Sequence, residues 1–445
     1  MSQPLEAFRN AFKIPELKQR ILFTLVMLAV YRLGAHVPTP GIDGEALSGV
    51  MHRMAGGLLS FYDMFTGGAF EQATVFALGI MPYISASIIM QLLTAVVPAL
   101  EKLAKEGAEG QKKITEYTRY GTVALCVVQS LAVASWLVQL NEPGTEIVAN
   151  PGIFFYFMCA LSFTTGTAFI MWLGEQISEY GIGNGISLII FVSIVARMPS
   201  ALITMVRLVG AGELSVFKAG ALVALMVAVV AGVILVTTGQ RRVPVQYPRQ
   251  VKGRKVFGGA RNYLPLRVNQ AGVIPIIFAS SLLMLPGMVA KAIKVDFIEK
   301  IFTEWLDYNT LPYNIIYAAL IIFFCYFYTA ITFNPIEMAD NMKKYGGVIM
   351  GVRPGKATAE YLNRVMTRIT LVGALFLAGV ALLPKLVYSV MEVYYWQIAN
   401  FFGGTSLLIL VGVALDTVRQ IEQHLIMRHY DGFTGSRRMR GRRRM

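Results

Sequence analysis

Charge is what this 445-residue sequence has least of. Asp, Glu, Lys and Arg make up 15% of it, against roughly 25% in ordinary soluble domains. Hydrophobic residues make up 55%, and the mean hydropathy is +0.57. That balance excludes a disordered chain, a coiled coil, and a soluble enzyme carrying one membrane tail. Cysteine is scarce too. Cys126, Cys159 and Cys325 each lie in an apolar run, with no redox or ligand spacing between them, and read as small buried hydrophobes. The four histidines are scattered, and His424 and His429 miss the i,i+4 spacing of a helical ligand pair. No catalytic His–Asp pair falls within an apolar run and no phosphate loop is present. The nearest approach, GIGNG at Gly181–Gly185, is GxGxG rather than GxGxxG and precedes an apolar segment instead of opening a soluble strand–helix unit. It reads as a tight turn with Asn184 at a helix start. An enzyme is not expected. Residues 1–20 are polar and amphipathic, and no small-residue cleavage pattern follows the first apolar run, so no removable leader is expected.

Apolar runs are what the chain has in abundance. Several reach about 18 residues, the length that crosses a bilayer core. Ten are delimited: Ile21–Val37, Thr74–Leu100, Thr122–Leu140, Ile153–Leu173, Ile186–Val209, Leu222–Thr238, Ala271–Ala290, Tyr313–Phe333, Ile369–Val390 and Thr405–Val418. Ten crossings place both termini on one side. That side receives 31 of the 40 basic residues but 13 of the 26 acidic ones. Cations are retained on the cytoplasmic side, so both ends are expected there. The net charge of +14 is then mostly topology.

Ionisable groups are nearly missing from the runs themselves. Runs two to four and six to eight have none, run nine has Lys385 near one end, and Asp416 is the one acidic group at depth. Arg197 and Arg207 lie in the outer half of run five, where the helix is expected to end early. Charge-coupled carriers need such groups inside the bundle, so a passive gated conduit or a scaffold fits better. A small-solute transporter or an insertase without a pore are the rivals.

Two basic loops and one irregular segment stand out. Residues 239–268 carry eight cations and no acid among prolines and alternating Val and Tyr, the pattern of a projecting hairpin; residues 334–366 form a second large loop. Acidic lipid, RNA or an acidic protein would suit them. The tail SRRMRGRRRM adds six arginines and is read as disordered, touching headgroups or RNA. Between the first two runs, MAGGLLSFYDMFTGGAF (Met54–Phe70) brackets a short apolar stretch with paired glycines. It makes two or three helical turns, too few to span. It either lies in the interface or folds back into a cavity as a re-entrant stopper. In run two, Gly79 and Pro82 interrupt the helix pattern, with Ser85 and Ser87 after them. Ile80 and Ile84 share a face, as do Ile186 and Ile190. Such pairs line a dewetting constriction or simply populate membrane helices.

Four stretches together are specific: GIMPYISASIIMQLL (Gly79–Leu93), EYGIGNGISLIIF (Glu179–Phe191), AGVIPIIFASSLLMLP (Ala271–Pro286) and FNPIEMADNMKKYGGVIMGVRPG (Phe333–Gly355). With TEYTRYG at Thr115–Gly121, they identify the chain as resembling the SecY family, channel-forming subunits of the bacterial Sec protein translocon. The resemblance covers all ten runs. It implies an all-α polytopic membrane protein, with ten transmembrane helices in two pseudo-symmetric five-helix halves and a short re-entrant plug helix. The halves would be residues 1–209 and 210–421, with 422–445 a basic cytoplasmic tail. It implies a hydrophobic pore ring of Ile80, Ile84, Ile186, Ile190, Ile277 and Ile409. The plug would be about residues 57–66, with Gly57, Leu58, Leu59, Phe61, Tyr62, Met64 and Phe65. A lateral gate would lie between spans two and three and spans seven and eight, with Gly79, Pro82 and Pro275 letting its helices bend. Arg241, Arg242 and Arg353 would dock a motor or ribosome. The implied function is conduction of unfolded secretory polypeptides across the bacterial plasma membrane, with lateral release of transmembrane segments into lipid. The implied partners are SecE, SecG, the SecA ATPase, translating ribosomes, signal sequences and membrane lipid. No cofactor is implied.

Overall fold

The computed structural model describes residues 14–53, 58–141, 146–247, 250–252, 255–257, 261–292, 310–390, 398 and 404–434. Every predicted apolar run falls on a helix. In chain order these are α1 (Pro15–Gly34), α4 (Met81–Val96), α6 (Ala108–Gln139), α7 (Ile153–Tyr180), α8 (Gly185–Gly210), α9 (Val216–Thr238), α10 (Ile274–Ala292), α11 (Leu311–Thr332), α13 (Lys356–Val390) and α14 (Thr405–Thr434). The short helices α2 (Gly44–Arg53), α3 (Leu58–Thr66), α5 (Pro98–Lys105) and α12 (Pro335–Lys344) lie between them. Large apolar side chains such as Leu25, Phe154, Phe157, Phe217 and Leu235 are exposed on the long helices, as expected where lipid rather than water is the solvent.

Boundaries depart from the sequence reading in instructive places. Run two does not form one helix from Thr74: residues 67–80 are turns, and α4 starts at Met81 with Pro82 in its first turn. A proline there sacrifices no helical hydrogen bond, so it starts the helix instead of breaking it. Pro98 ends the span, and α5 leaves at 99°. The early end expected for run five is corrected. α8 runs through Pro199 and Arg207 to Gly210, because Arg197 finds ionic partners within the protein. α14 continues to Thr434, into the stretch read as tail, while residues 435–445 lie outside the described residues.

Several glycines allow close backbone approach, two of them on the long helices α7 and α8. A β-carbon on Gly166 of α7 would sit 2.0 Å from the Val75 carbonyl oxygen, and one on Gly185 would sit 2.0 Å from that of Gly174. Backbone atoms cannot swing aside as a side chain can. Gly166→Val is expected to lower the thermal midpoint of the detergent-solubilised protein, with an overpacking cost of about 1–3 kcal/mol. Gly379→Ala on α13, where a β-carbon meets nothing within 4 Å, is expected to leave the midpoint unchanged or raise it. Equal midpoints for the two variants would contradict this account.

The GIGNG turn has a structural role. Gly183 has φ +89°, and Asn184 caps α8, its side chain accepting from Ser187 N at 3.2 Å. Thr24 of α1 accepts from Ile182 N at 3.0 Å, and Gln420 of α14 accepts from Gly183 N at 2.9 Å. The first and last spans thus hold one turn, using the amide groups a phosphate would otherwise take.

The two basic loops meet in one sheet. Strands β1 (Gln240–Gln246) and β4 (Arg261–Arg267) pair antiparallel, with Arg241 opposite Leu266 and Arg242 opposite Pro265. The short β2 (Gln250–Lys252) and β3 (Lys255–Phe257) form the tip of the hairpin. β5 (Val348–Ile349), from the second loop, adds to β1 through Val245–Ile349 and Gln246–Val348. Val243, Val245, Leu266 and Ile349 bury one side of this sheet against Phe333, Met342, Leu362 and Met366. The hairpin therefore stands on the foot of α13.

Candidate functional site

The short helix α3 is seated inside the bundle, against α8 and α10. Of its two expected homes, this is the re-entrant one. Tyr62 is buried and donates to the Leu78 carbonyl at 2.7 Å. Its ring meets Phe70 edge-on at 5.1 Å, and Phe70 stacks on Trp136 of α6 at 5.8 Å. Phe65 is buried and Met64 half-buried. Leu58, Leu59 and Phe61 lie on the helix, but their side chains, like all of Gly57, fall outside the described residues. Gly67 and Gly68 end the helix at φ +67° and +96°. A β-carbon on Gly68 would meet the Arg197 guanidinium at 3.1 Å. This second glycine pair thus serves a close approach as well as a turn.

The six isoleucines join one continuous hydrophobic cluster that includes Tyr62 and Phe65. Ile80 is the residue before α4 and Ile84 lies one turn along. Ile186 and Ile190 sit one turn apart on α8, Ile277 is on α10 and Ile409 on α14. Ile80, Ile84, Ile190, Ile277 and Ile409 are 0–5% exposed, while Ile186 is half-buried. Leu408, beside Ile409, is equally buried. Four different helices thus supply branched apolar side chains to one closed cluster.

α10 packs on both α4 and α6. At the α4–α10 contact the buried hydroxyls of Ser85 and Ser281 share a 2.6 Å hydrogen bond. Gly79 has φ +56°, with Thr66 of α3 beneath it. Pro275 is the second residue of α10, matching Pro82 on α4. All three residues thus precede or open helices at this contact instead of kinking them midway. Arg241 and Arg242 of β1 are exposed, and so is Arg353 in the loop between β5 and α13, whose carbonyl accepts from Thr358 at 2.9 Å.

The comparisons with known proteins bear on this arrangement. The SecY family model matches residues 74–418. The chain is 44% identical to the protein translocase subunit SecY of Thermotoga maritima, over 98% of this chain and 100% of that one. The chain belongs to the SecY family. It is 45% identical to the SecY of Aquifex aeolicus over 97% and 99% of the two chains, and 44% identical to that of Escherichia coli over 96% of each. Among solved structures, a protein-conducting channel matches with a TM-score of 0.67 at 18% identity, covering 94% of this chain and 95% of that one. The canine Sec61 of a ribosome–channel complex matches with a TM-score of 0.61 at 16% identity, covering 94% and 95%. These two share its fold. As a SecY-family member the chain is a multi-pass membrane channel subunit with ten transmembrane helices, not an enzyme.

Three features of this SecY-family structure escaped the sequence reading. Arg197 pairs with Asp63 and Glu71, and Ser85 meets Ser281 across 196 residues. The two basic loops join through β5. The first left a trace in the sequence: Asp63 is the lone charge of an apolar nine-residue helix, and Arg197 a charge within an apolar run. The other two have none, since serine is ordinary in membrane helices and a two-residue strand has no signature.

Proposed function

We propose that this chain is the conduit of a protein translocase. It passes unfolded secretory polypeptides across the bacterial plasma membrane and releases transmembrane segments sideways into lipid. SecY-family membership over nearly the whole chain carries this reading, and a re-entrant helix seated against α8 and α10 supports it. α3 is the plug. Ile80, Ile84, Ile186, Ile190, Ile277 and Ile409 form the constriction, gripping a sliding chain without offering fixed hydrogen bonds and disfavouring a continuous water column. The contact of α4 and α6 with α10 and α11 is the lateral gate. Burial of apolar area, worth roughly 25 cal/mol per Å², drives a segment through it into lipid. Residues 1–209 and 210–421 are the two halves. The side with the sheet and both termini is cytoplasmic, as the excess of cations there argues.

Photoreactive residues at Ile84, Ile190, Ile277 and Ile409 test the conduit. All four are expected to label one secretory chain stalled in transit. Labelling from lipid-facing controls at Ala124 or Leu225, with none from the four, would favour an insertase.

The exposed Arg241 and Arg242 of the sheet, with Arg353 in the loop after β5, are the docking surface for a SecA ATPase and for ribosomes, and the small subunits SecE and SecG complete the assembly. The chain has no phosphate loop of its own, so the work comes from such partners. Arg353→Glu is expected to cut motor-driven translocation at least about tenfold, through reversal of a charge-assisted contact. Membrane insertion and detergent stability of the variant are expected to stay unchanged, since Arg353 is exposed. Full translocation activity would remove Arg353 from the docking surface.

A further inference from the structure

Arg197 projects from α8, and its Nη2 donates to carboxylates on both sides of the Gly67–Gly68 turn. One is Asp63 of α3. The other is Glu71, reached at 2.6 Å. Asp63 in turn uses Oδ1 to accept from Glu71 N at 2.8 Å. Glu71 also accepts from Ser48 of α2 at 2.9 Å and lies 3.2 Å from His52 Nδ1. Arg32 of α1 donates to the Gly67 carbonyl at 3.3 Å. One guanidinium group, that of Arg197, therefore meets two carboxylates at the base of α3, while that of Arg32 holds the Gly67 carbonyl. The Asp63 side chain is 8% exposed and that of Arg197 24%. A cavity of about 200 Å³, lined by Arg32, His36, Gly67, Gly68, Glu71 and Arg197, opens beside them.

We propose that Arg197, Asp63 and Glu71 form an ion-pair latch that holds the plug in its seat and sets how often it leaves. This rests on the reading of α3 as the plug. The three are positioning residues and touch no passing chain. Loss of the Asp63 charge leaves Arg197 with Glu71 alone and removes the ionic tie between α3 and α8, so the closed state depends on the intact set. The cavity makes the latch releasable. When α3 departs, Arg197 is left beside a polar space that admits water, and Asp63 leaves with the helix. Opening therefore strands no charge in apolar surroundings. A purely apolar seat would hold the plug by area alone, with no dependence on one side-chain pair.

The test uses the full-length protein in lipid vesicles, with Met64→Cys as a reporter. Met64 is half-buried at the seat, and the native cysteines are buried. The rate of modification by a charged, membrane-impermeant maleimide and the resting ion conductance are both read. Asp63→Asn keeps the shape of the side chain and the acceptor for Glu71 N, so the fold is retained. It is expected to raise both readings about tenfold or more. Arg197→Lys, which keeps the charge but loses the fork, is expected to fall between parent and Asp63→Asn. The exchange Asp63→Arg with Arg197→Asp is expected to recover part of the seal. Deletion of residues 58–66 tests the underlying reading separately. Asp63→Asn and Arg197→Lys both within twofold of the parent, beside a leaking deletion variant, would overturn the latch and leave the plug standing. A deletion variant that does not leak would overturn both.

Discussion

Oxidising a Ser85→Cys/Ser281→Cys pair is expected to stop lateral release of membrane anchors and to reduce translocation at least about tenfold, with full recovery on reduction. The two hydroxyl oxygens are 2.6 Å apart and buried between α4 and α10, so the paired sulfurs need little backbone movement to bond. A disulfide there joins residues 85 and 281 across the proposed gate. No hydrogen bond of about 1 kcal/mol does comparable work, so the serines themselves are a weak, reversible closure. Accordingly, Ser85→Ala with Ser281→Ala is expected to shift the gate only slightly toward opening. The decisive measurement is crosslinking of a stalled membrane anchor to lipid, with and without reductant. Unchanged lipid access in fully oxidised protein would move the exit away from the α4–α10 contact.

Replacing Ile84 and Ile190 together by glycine is expected to make the resting channel leak. Both are buried in the shared cluster. Each loses a branched side chain of the kind whose truncation to alanine costs about 2–5 kcal/mol in a packed core. The vacated space lies next to proposed conduit rather than solid protein, so water occupies it and the apolar barrier to ions falls. Each 1.4 kcal/mol removed from that barrier is worth about tenfold in ion flux. Single-channel conductance should be recorded with α3 intact and with residues 58–66 deleted. The double-glycine effect is expected to be larger in the deletion, because plug and constriction seal in series. Equal conductance with and without the isoleucines, in the deletion background, would mean that they are packing and not the seal.

Much of this architecture was legible residue by residue. A run of some 20 apolar residues has no stable home but a bilayer, so most of the spans follow from composition along the chain, while the first run, with Arg32, and the short tenth, Thr405–Val418, rest on the charge pattern. The asymmetry of 31 basic residues on one side argues orientation without any coordinates. Asn184 as a helix cap, the hairpin at 239–268 and the short helix near 57–66 were each readable locally, because their signals are local: a capping side chain, alternation with prolines, paired glycines.

Helix limits were less legible. Hydropathy measures apolar length, not where backbone hydrogen bonding begins. The turns at 67–80 are as apolar as a helix, yet Gly79 at φ +56° and Pro82 together put the first helical residue at Met81. The six isoleucines were legible only through family resemblance. Their spacing within one helix says that two share a face, but not which face, nor that residues from α4, α8, α10 and α14 join one hydrophobic cluster.

Composition along the chain therefore decided that this is a polytopic membrane protein and roughly where its apolar runs lie, and charge order argues for the orientation proposed above. Tertiary structure alone decided what meets what. The apolar effect is non-directional, so it drives helices into lipid and together without selecting partners. Selection came from short-range terms that need three-dimensional proximity. Examples are Gly166 closing on the Val75 carbonyl, Ser85 meeting Ser281, β5 completing the sheet, and Arg197 reaching Asp63 and Glu71. Each joins residues far apart in sequence, and no local pattern encodes such a distance.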